Sequence, residues 1–176
     1  MKDIIRVKSL LSTEIEAILN QQIRKEAQSS AIYLAMASWC DRNGYDNSAD
    51  YFFKQAEEER EHQLKFFKYV LDMGGTAISP DVNNIKIEYN SFREVFEDAL
   101  EQEIAVTESI KAIASRCYKE QDFVTLEFLN WFFKEQREEE YKARRAVELF
   151  DVIGTEGTGA WEIDRHVSKI NYDNEA

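Results

Sequence analysis

The chain of 176 residues has little of what interrupts or cross-links a fold: one proline, six glycines and two cysteines. Backbone breakers this rare leave room for long helices. Cys40 and Cys117 both fall within helical patterns and read as small buried hydrophobes in a reducing compartment, not as a disulfide. There is no CxxC pair, which excludes a sulfur-based zinc or iron site. Positive charge is short as well: 22 Lys and Arg stand against 34 Asp and Glu, for a net charge of −12. That balance disfavours nucleic acid, whose phosphates want a basic surface, and an anionic membrane for the same reason. It suits attraction of cations, or solubility. No apolar run approaches the roughly 20 residues that span a bilayer. The N-terminal MKDIIRVKSLLSTEIEAILN scatters charges and lacks the apolar stretch and cleavage site of a signal peptide. The reading is a cytoplasmic chain.

What is present is apolar residues at 44% and charged residues at 32%, a balance that fits one ordered domain with a sizeable core. Four long segments carry the apolar spacing of amphipathic helices. The first runs from about Thr13 to Asp41, with Thr13-Glu14-Ile15-Glu16 as a capping box, and ends at Asn43-Gly44. The second runs from about Asp46 to Met73 and stops at Gly74-Gly75. Residues 76–90, TAISPDVNNIKIEYN, read as an extended connection. The third runs from about Ser91 to Tyr118, with Ser91 and Glu94 as a second capping box. The fourth runs from about Asp122 to Ile153. GTEGTG (154–159) then breaks the chain, and AWEIDRHVSKI makes a short helix over about 160–171. No internal repeat or second domain is evident, so residues 1–176 form one domain with its bundle at about 13–153. Helices of about 28–32 residues, roughly 40–48 Å long at 1.5 Å per residue, bury their stripes only against one another. The spacing predicts an all-α four-helix bundle with antiparallel hairpins and a long crossover between helices two and three.

The core seams carry polar residues at one height. The third helix reads Phe92, Phe96, Ala99, Glu103, Val106, Ile110, Ile113, Cys117, apolar or small except at Glu103. The second gives Phe52, Glu59, Phe66 and Met73, with His62 and Tyr69 on the alternate line. The fourth gives Leu129, Phe132, Gln136, Glu139, Ala143, Ala146 and Phe150. The first gives Leu19, Glu26, Tyr33 and Cys40, a weaker seam because Gln22 and Ser29 interleave. Each helix thus carries one glutamate near its midpoint: Glu26, Glu59, Glu103 and Glu139. Side by side, the midpoints form one layer, joined by His62 and Gln136. Four carboxylates in a low-dielectric core either share protons or meet a cation. Oxygen-rich ligands with one imidazole suit one or two divalent metal ions. Glu59 and His62 stand at i and i+3 on one helix face, so both can hold one ion. ExxH alone is weak; the set of four mid-helix glutamates carries the specificity. Within AEEEREH (56–62), Glu57 and Glu61 read as solvated helix surface.

The chain resembles the prokaryotic haem-free ferritins over nearly its whole length. The marks are RKEAQSSAIYLAMASWC (24–40), AEEEREHQLKF (56–66), LEQEIAVT (100–107), FLNWFFKEQREEE (128–140) and GTGAWEIDRHVSKI (157–170). The resemblance implies a ferritin-like bundle with a short fifth C-terminal helix. It implies an intrasubunit di-iron ferroxidase centre: Glu26, Glu59 and His62 on the first iron, Glu59 bridging, Glu103 and Glu139 on the second. Gln136 would sit beside that centre. Tyr33 would hydrogen-bond a site carboxylate and supply an electron; a plain core aromatic is its other reading. A third iron site, nearer the inner surface, would take Glu58, Glu135 and Glu138, with help from Glu139. Residues 135, 138 and 139 share one face, while 58 lies about 100° from 59; a solvated face remains the alternative. The implied reaction is oxidation of Fe(II) by O2 or H2O2 and storage as ferric mineral in a hollow shell of 24 subunits. The stripe Ala160, Ile163, Val167, Ile170 supports the shell, since a lone bundle offers it no obvious cover.

Some residues depart from sister patterns. The fourth helix has EQREEE and no second ExxH, which disfavours the bacterioferritin and ribonucleotide-reductase types, and no haem-binding methionine is evident. The acidic pair that lines the three-fold channel of animal ferritins falls at Leu126 and Leu129, with Asp122 and Glu127 nearby. His166 reads as surface or interface. A mini-ferritin that protects DNA would place its iron between subunits and lack the terminal helix. A rubrerythrin-type peroxidase would want a cysteine-bound iron. From another class, the chain could be a non-catalytic helical scaffold with a protonated carboxylate layer.

Overall fold

The computed structural model describes residues 9–172. The start of the segment read as leaderless and the two ends of the predicted domain lie outside those residues. Five helices follow in order: α1 (Thr13–Arg42), α2 (Asp46–Asp72), α3 (Phe92–Glu120), α4 (Phe123–Ile153) and α5 (Gly159–Val167), with no strand among the described residues. Among those residues no helix is long and apolar enough to cross a membrane. The helix boundaries expected from sequence hold to within two residues, except that α5 ends earlier, at Val167.

The caps show where local chemistry starts each helix. Ser91 accepts from Glu94 N at 3.1 Å, as the second capping box requires, while the Glu94 carboxylate reaches one residue further back and accepts from Asn90 N. The first box is corrected by one residue. Ser12 caps α1, accepting from Ile15 N at 3.1 Å, while the Glu16 carboxylate turns outward to accept from Thr76 N at 3.1 Å. Glu16 is therefore spent on the crossover, not on its own helix start.

That crossover climbs the outside of α1. Ile78 N donates to Asn20 Oδ1 at 2.8 Å, Gln28 Nε2 donates to Asn83 O at 2.8 Å, and Arg42 pairs with Glu88 at 3.1 Å. The pairs march up α1, so the extended segment returns the chain to the far end of the bundle and α3 runs antiparallel to α1. Lys86 then ties the segment to the start of α3 through Glu94 at 2.7 Å and Asp98 at 2.6 Å.

The apolar core is in two parts. One gathers Tyr33, Met36, Phe52, Phe96, Phe150 and the α5 residues Ile163 and Val167. The other gathers Leu19, Ile23, Phe66, Ile110, Leu129 and Phe132. In every long helix the mid-helix glutamate lies between the two. The two cysteines are free and buried, one in each part.

The reading of α5 as a stripe without cover is corrected. Ile163 and Val167 are fully buried on the chain's own bundle. Asp164 locks the dock: its carboxylate accepts from Ser48 N at 2.8 Å and Asn47 Nδ2 at 2.8 Å, at the start of α2. Tyr45, the residue before α2, offers no side-chain cap, so Asp164 supplies one from 116 residues away. Gly159 is required at the α5 start because a Cβ there would meet Gly154 O at 2.1 Å.

Candidate metal centre

Glu26, Glu59, Glu103 and Glu139 are all buried, one per long helix, in the polar layer between the two core parts. The helical phase that puts apolar neighbours inward puts these carboxylates inward with them. His62 and Gln136 are buried beside them. Glu26, Glu59 and His62 each offer a ligand atom within 4.8 Å of the others. His62 Nδ1 lies 3.6 Å from Glu59 Oε2, and its ring stands edge-on to Trp131 and Phe132.

Neighbouring groups fix one oxygen of several carboxylates and leave the other. Ser109 Oγ donates to Gln22 Oε1 at 2.6 Å, and Gln22 Nε2 donates to Glu26 Oε1 at 2.8 Å. Tyr33 O–H donates to Glu103 Oε1. Thr107 Oγ1 donates to Gln136 Oε1 at 2.9 Å. Lys142 Nζ donates to Glu139 Oε1 at 3.1 Å. What remains is an Oε2 on each of the four glutamates, His62 Nδ1 and Gln136 Nε2, all buried and without a hydrogen-bond partner. They are six of the nine such atoms among the described residues, so the unsatisfied polarity of the fold is concentrated here. Orphaned buried polar atoms are costly and rare; the Oε2 atoms and His62 Nδ1 are acceptors that a cation would pair with, whereas Gln136 Nε2 is a donor. The donor set, oxygen-rich with one imidazole nitrogen, fits a divalent ion.

Electrostatics say the same. Burial first, then Glu59, pushes Glu26 well above the ordinary carboxylate range. Burial and the Glu103 charge do the same to Glu59. Burial, with Glu139 next, raises Glu103 to about 8. Burial raises Glu139 too, against the opposing pull of Lys142. Without a counter-charge the layer holds protons; a cation takes their place. Burial and the Glu103 charge keep the Tyr33 phenol protonated and donating.

The expected third cluster is only partly assembled. Glu58 and Glu138 flank Lys142, whose ammonium lies 2.8 Å from Glu138 Oε1 and 4.0 Å from Glu58 Oε2. Glu135 is partly exposed, one turn back along α4. Glu57 and Glu61 are exposed, as read from sequence. Leu129 is buried, and Asp122 is committed to the α4 start, accepting from Thr125 N at 3.0 Å. His166 is exposed and bonds Glu162 O through Nδ1 at 2.8 Å.

Sequence reading missed three contributors. Gln22 interrupts the apolar α1 seam, yet it orients Glu26; its i−4 spacing to that glutamate is the signal the sequence offers. Lys142 stands at i+3 from Glu139 and i+4 from Glu138, the same kind of signal. Thr107 orients Gln136 from another helix, and no sequence spacing reports it.

The match to known proteins agrees with this geometry. A family model described as a ferritin-like domain matches residues 16–153. A bacterial non-heme ferritin of Staphylococcus epidermidis is 37% identical over 145 residues, 82% of this chain and 87% of that protein. One from Campylobacter jejuni is 32% identical over 161 residues, 92% and 96% of the two chains. The open pore ferritin of Archaeoglobus fulgidus superposes with a TM-score of 0.87 at 32% identity, covering 92% of this chain and 99% of that one. The family model, the relatives and the shared fold agree: the chain belongs to the ferritin family, beside the bacterial non-haem ferritins.

Proposed function

We propose that the protein stores iron, and that the buried layer is the ferroxidase centre at which Fe(II) becomes Fe(III) before it is laid down as ferric oxyhydroxide. The single observation that carries this is the cluster of Glu26, Glu59 and His62, with ligand atoms within 4.8 Å of one another, beside the buried, unpartnered Oε2 atoms of Glu103 and Glu139 in the same polar layer. Glu26, Glu59 and His62 would take the first Fe(II). Glu59 would bridge to a second held by Glu103 and Glu139, with Gln136 beside it. Iron is the substrate here: two Fe(II) give two electrons to one O2, which takes up two protons and leaves as H2O2, itself an oxidant for further Fe(II).

This chain's residues have defined parts in that scheme. Gln22 and Tyr33 each hold one carboxylate oxygen, so that the opposite oxygen is presented without a search over rotamers. Tyr33 is also the nearby phenol suited to give an electron. The carboxylates release their shared protons as iron enters. Trp131 and Phe132 wall the imidazole and keep it in place.

We also propose a shell of 24 subunits enclosing the mineral. The ferritin-family neighbours support it, and so do Leu34, Phe53, Leu64 and Trp161, large apolar side chains exposed on the isolated chain. Adding Fe(II) aerobically to the metal-free protein and to Glu59→Ala tests the centre. Fe(III) formation is expected in the first and only at the background rate in the second; equal rates would refute it.

A further inference from the structure

Lys142 is the feature that this reading does not absorb. It projects from α4 into the cluster where a third cation would bind, and its side chain is 15% exposed. Its ammonium lies 2.8 Å from Glu138 Oε1, 3.1 Å from Glu139 Oε1 and 4.0 Å from Glu58 Oε2. A cavity of about 500 Å³ opens beside it, lined by Tyr51, Gln55, Glu58 and Glu138 among others. The pocket is therefore reachable from outside, and a cation already stands among its carboxylates.

We infer that Lys142 is a built-in cation that fills the third metal position, so that this chain binds divalent ions in pairs at each centre. The inference rests on the two-ion reading proposed above. The chemistry is that of competition for the same lone pairs. A divalent ion bound by Glu58, Glu138 and Glu139 needs oxygens at about 2.0–2.6 Å, and it cannot share that space with an ammonium already at hydrogen-bond distance from two of them. Glu139 divides its two oxygens between the roles. Oε1 accepts from Lys142, while Oε2 is buried and unpartnered, left for the second ion of the pair. Lys142 thus does two things: it excludes a third ion, and it fixes the rotamer of a ligand to the second. A lysine tethered at this place holds one charge permanently, where a bound ion would come and go. Iron oxidised at the centre then has no carboxylate station waiting on the Glu58 side.

Crystals of the metal-free protein soaked in Zn(II), a redox-inert divalent ion, test this by anomalous difference density. In the native protein no peak is expected among Glu58, Glu138 and Glu139. In Lys142→Met, which keeps an unbranched chain one atom shorter and loses the charge, one additional peak is expected there, and Lys142→Arg should restore its absence. Lys142→Gln serves if the methionine variant does not assemble. A peak in the native protein with Lys142 displaced would overturn the inference, and so would the absence of a new peak in a folded, neutral variant. The peak at this cluster is scored separately from density at Glu59 and His62, whose absence would instead sink the two-ion reading.

Discussion

Glu59 is approached by Glu26 and His62 on one side and feels the charges of Glu103 and Glu139 on the other. One carboxylate interacting with groups on all four long helices explains why its loss should matter most. Glu59→Ala is expected to lower Fe(III) formation at least tenfold, while Glu61→Ala, on the exposed side of the same turn, should leave it unchanged; rapid-mixing absorbance distinguishes them. The metal-free layer also predicts a pH dependence. In the fold, Glu103 keeps its proton up to about pH 8, whereas an unperturbed glutamate releases it near 4.5. Between those values the folded chain binds more protons than the unfolded one, so stability falls as pH rises. Thermal melting of the metal-free protein should drop from about pH 5 to pH 8, and a saturating divalent ion should remove most of that drop, since it replaces the protons. These carboxylates and His62 were legible in the sequence because each interrupts an apolar seam. Gln22 and Lys142 were not, because a polar residue beside a seam is usually surface, and only side-chain contact shows what it holds.

At the scale of elements, five helices and one crossover followed from rare breakers and from the 3.6-residue period. The misplaced α1 cap shows the limit of local pattern. Thr13 and Glu16 satisfy the motif, but Glu16 is drawn away to Thr76 across 60 residues. The docking of α5 was invisible for the same reason, since its groove is made by residues from other helices. Asp164 is the pin of that dock, buried and accepting from the α2 start. Asp164→Ala would orphan the N–H groups of Asn47 and Ser48 and is expected to cost about 1–3 kcal/mol. Chemical denaturation measures it. The loss should fall on α5 and the α2 start, so hydrogen exchange should speed at Ser48 before it speeds at Phe66.

For the whole molecule, the two-part core is the organising fact. Each part is a well-packed apolar cluster, and the polar layer between them is tolerable only when its charges are neutralised. The proposed function would thus sit where burial raises the carboxylates of all four long helices. The proposed assembly would draw on the outer helix faces, where Leu34, Phe53 and Leu64 stand exposed, and on Trp161 of α5, whose apolar face otherwise docks on its own bundle. Native mass measurement should find 24 chains; a stable monomer or a 12-mer would contradict the shell. The most direct test of the central claim counts iron at the centre. Fe(II) is added in steps to the metal-free protein in aerated buffer while Fe(III) absorbance is followed. The account predicts a fast phase that saturates at two Fe(II) per chain and vanishes in Glu59→Ala. A single slow phase of equal rate in both proteins, with no break at two, would contradict it.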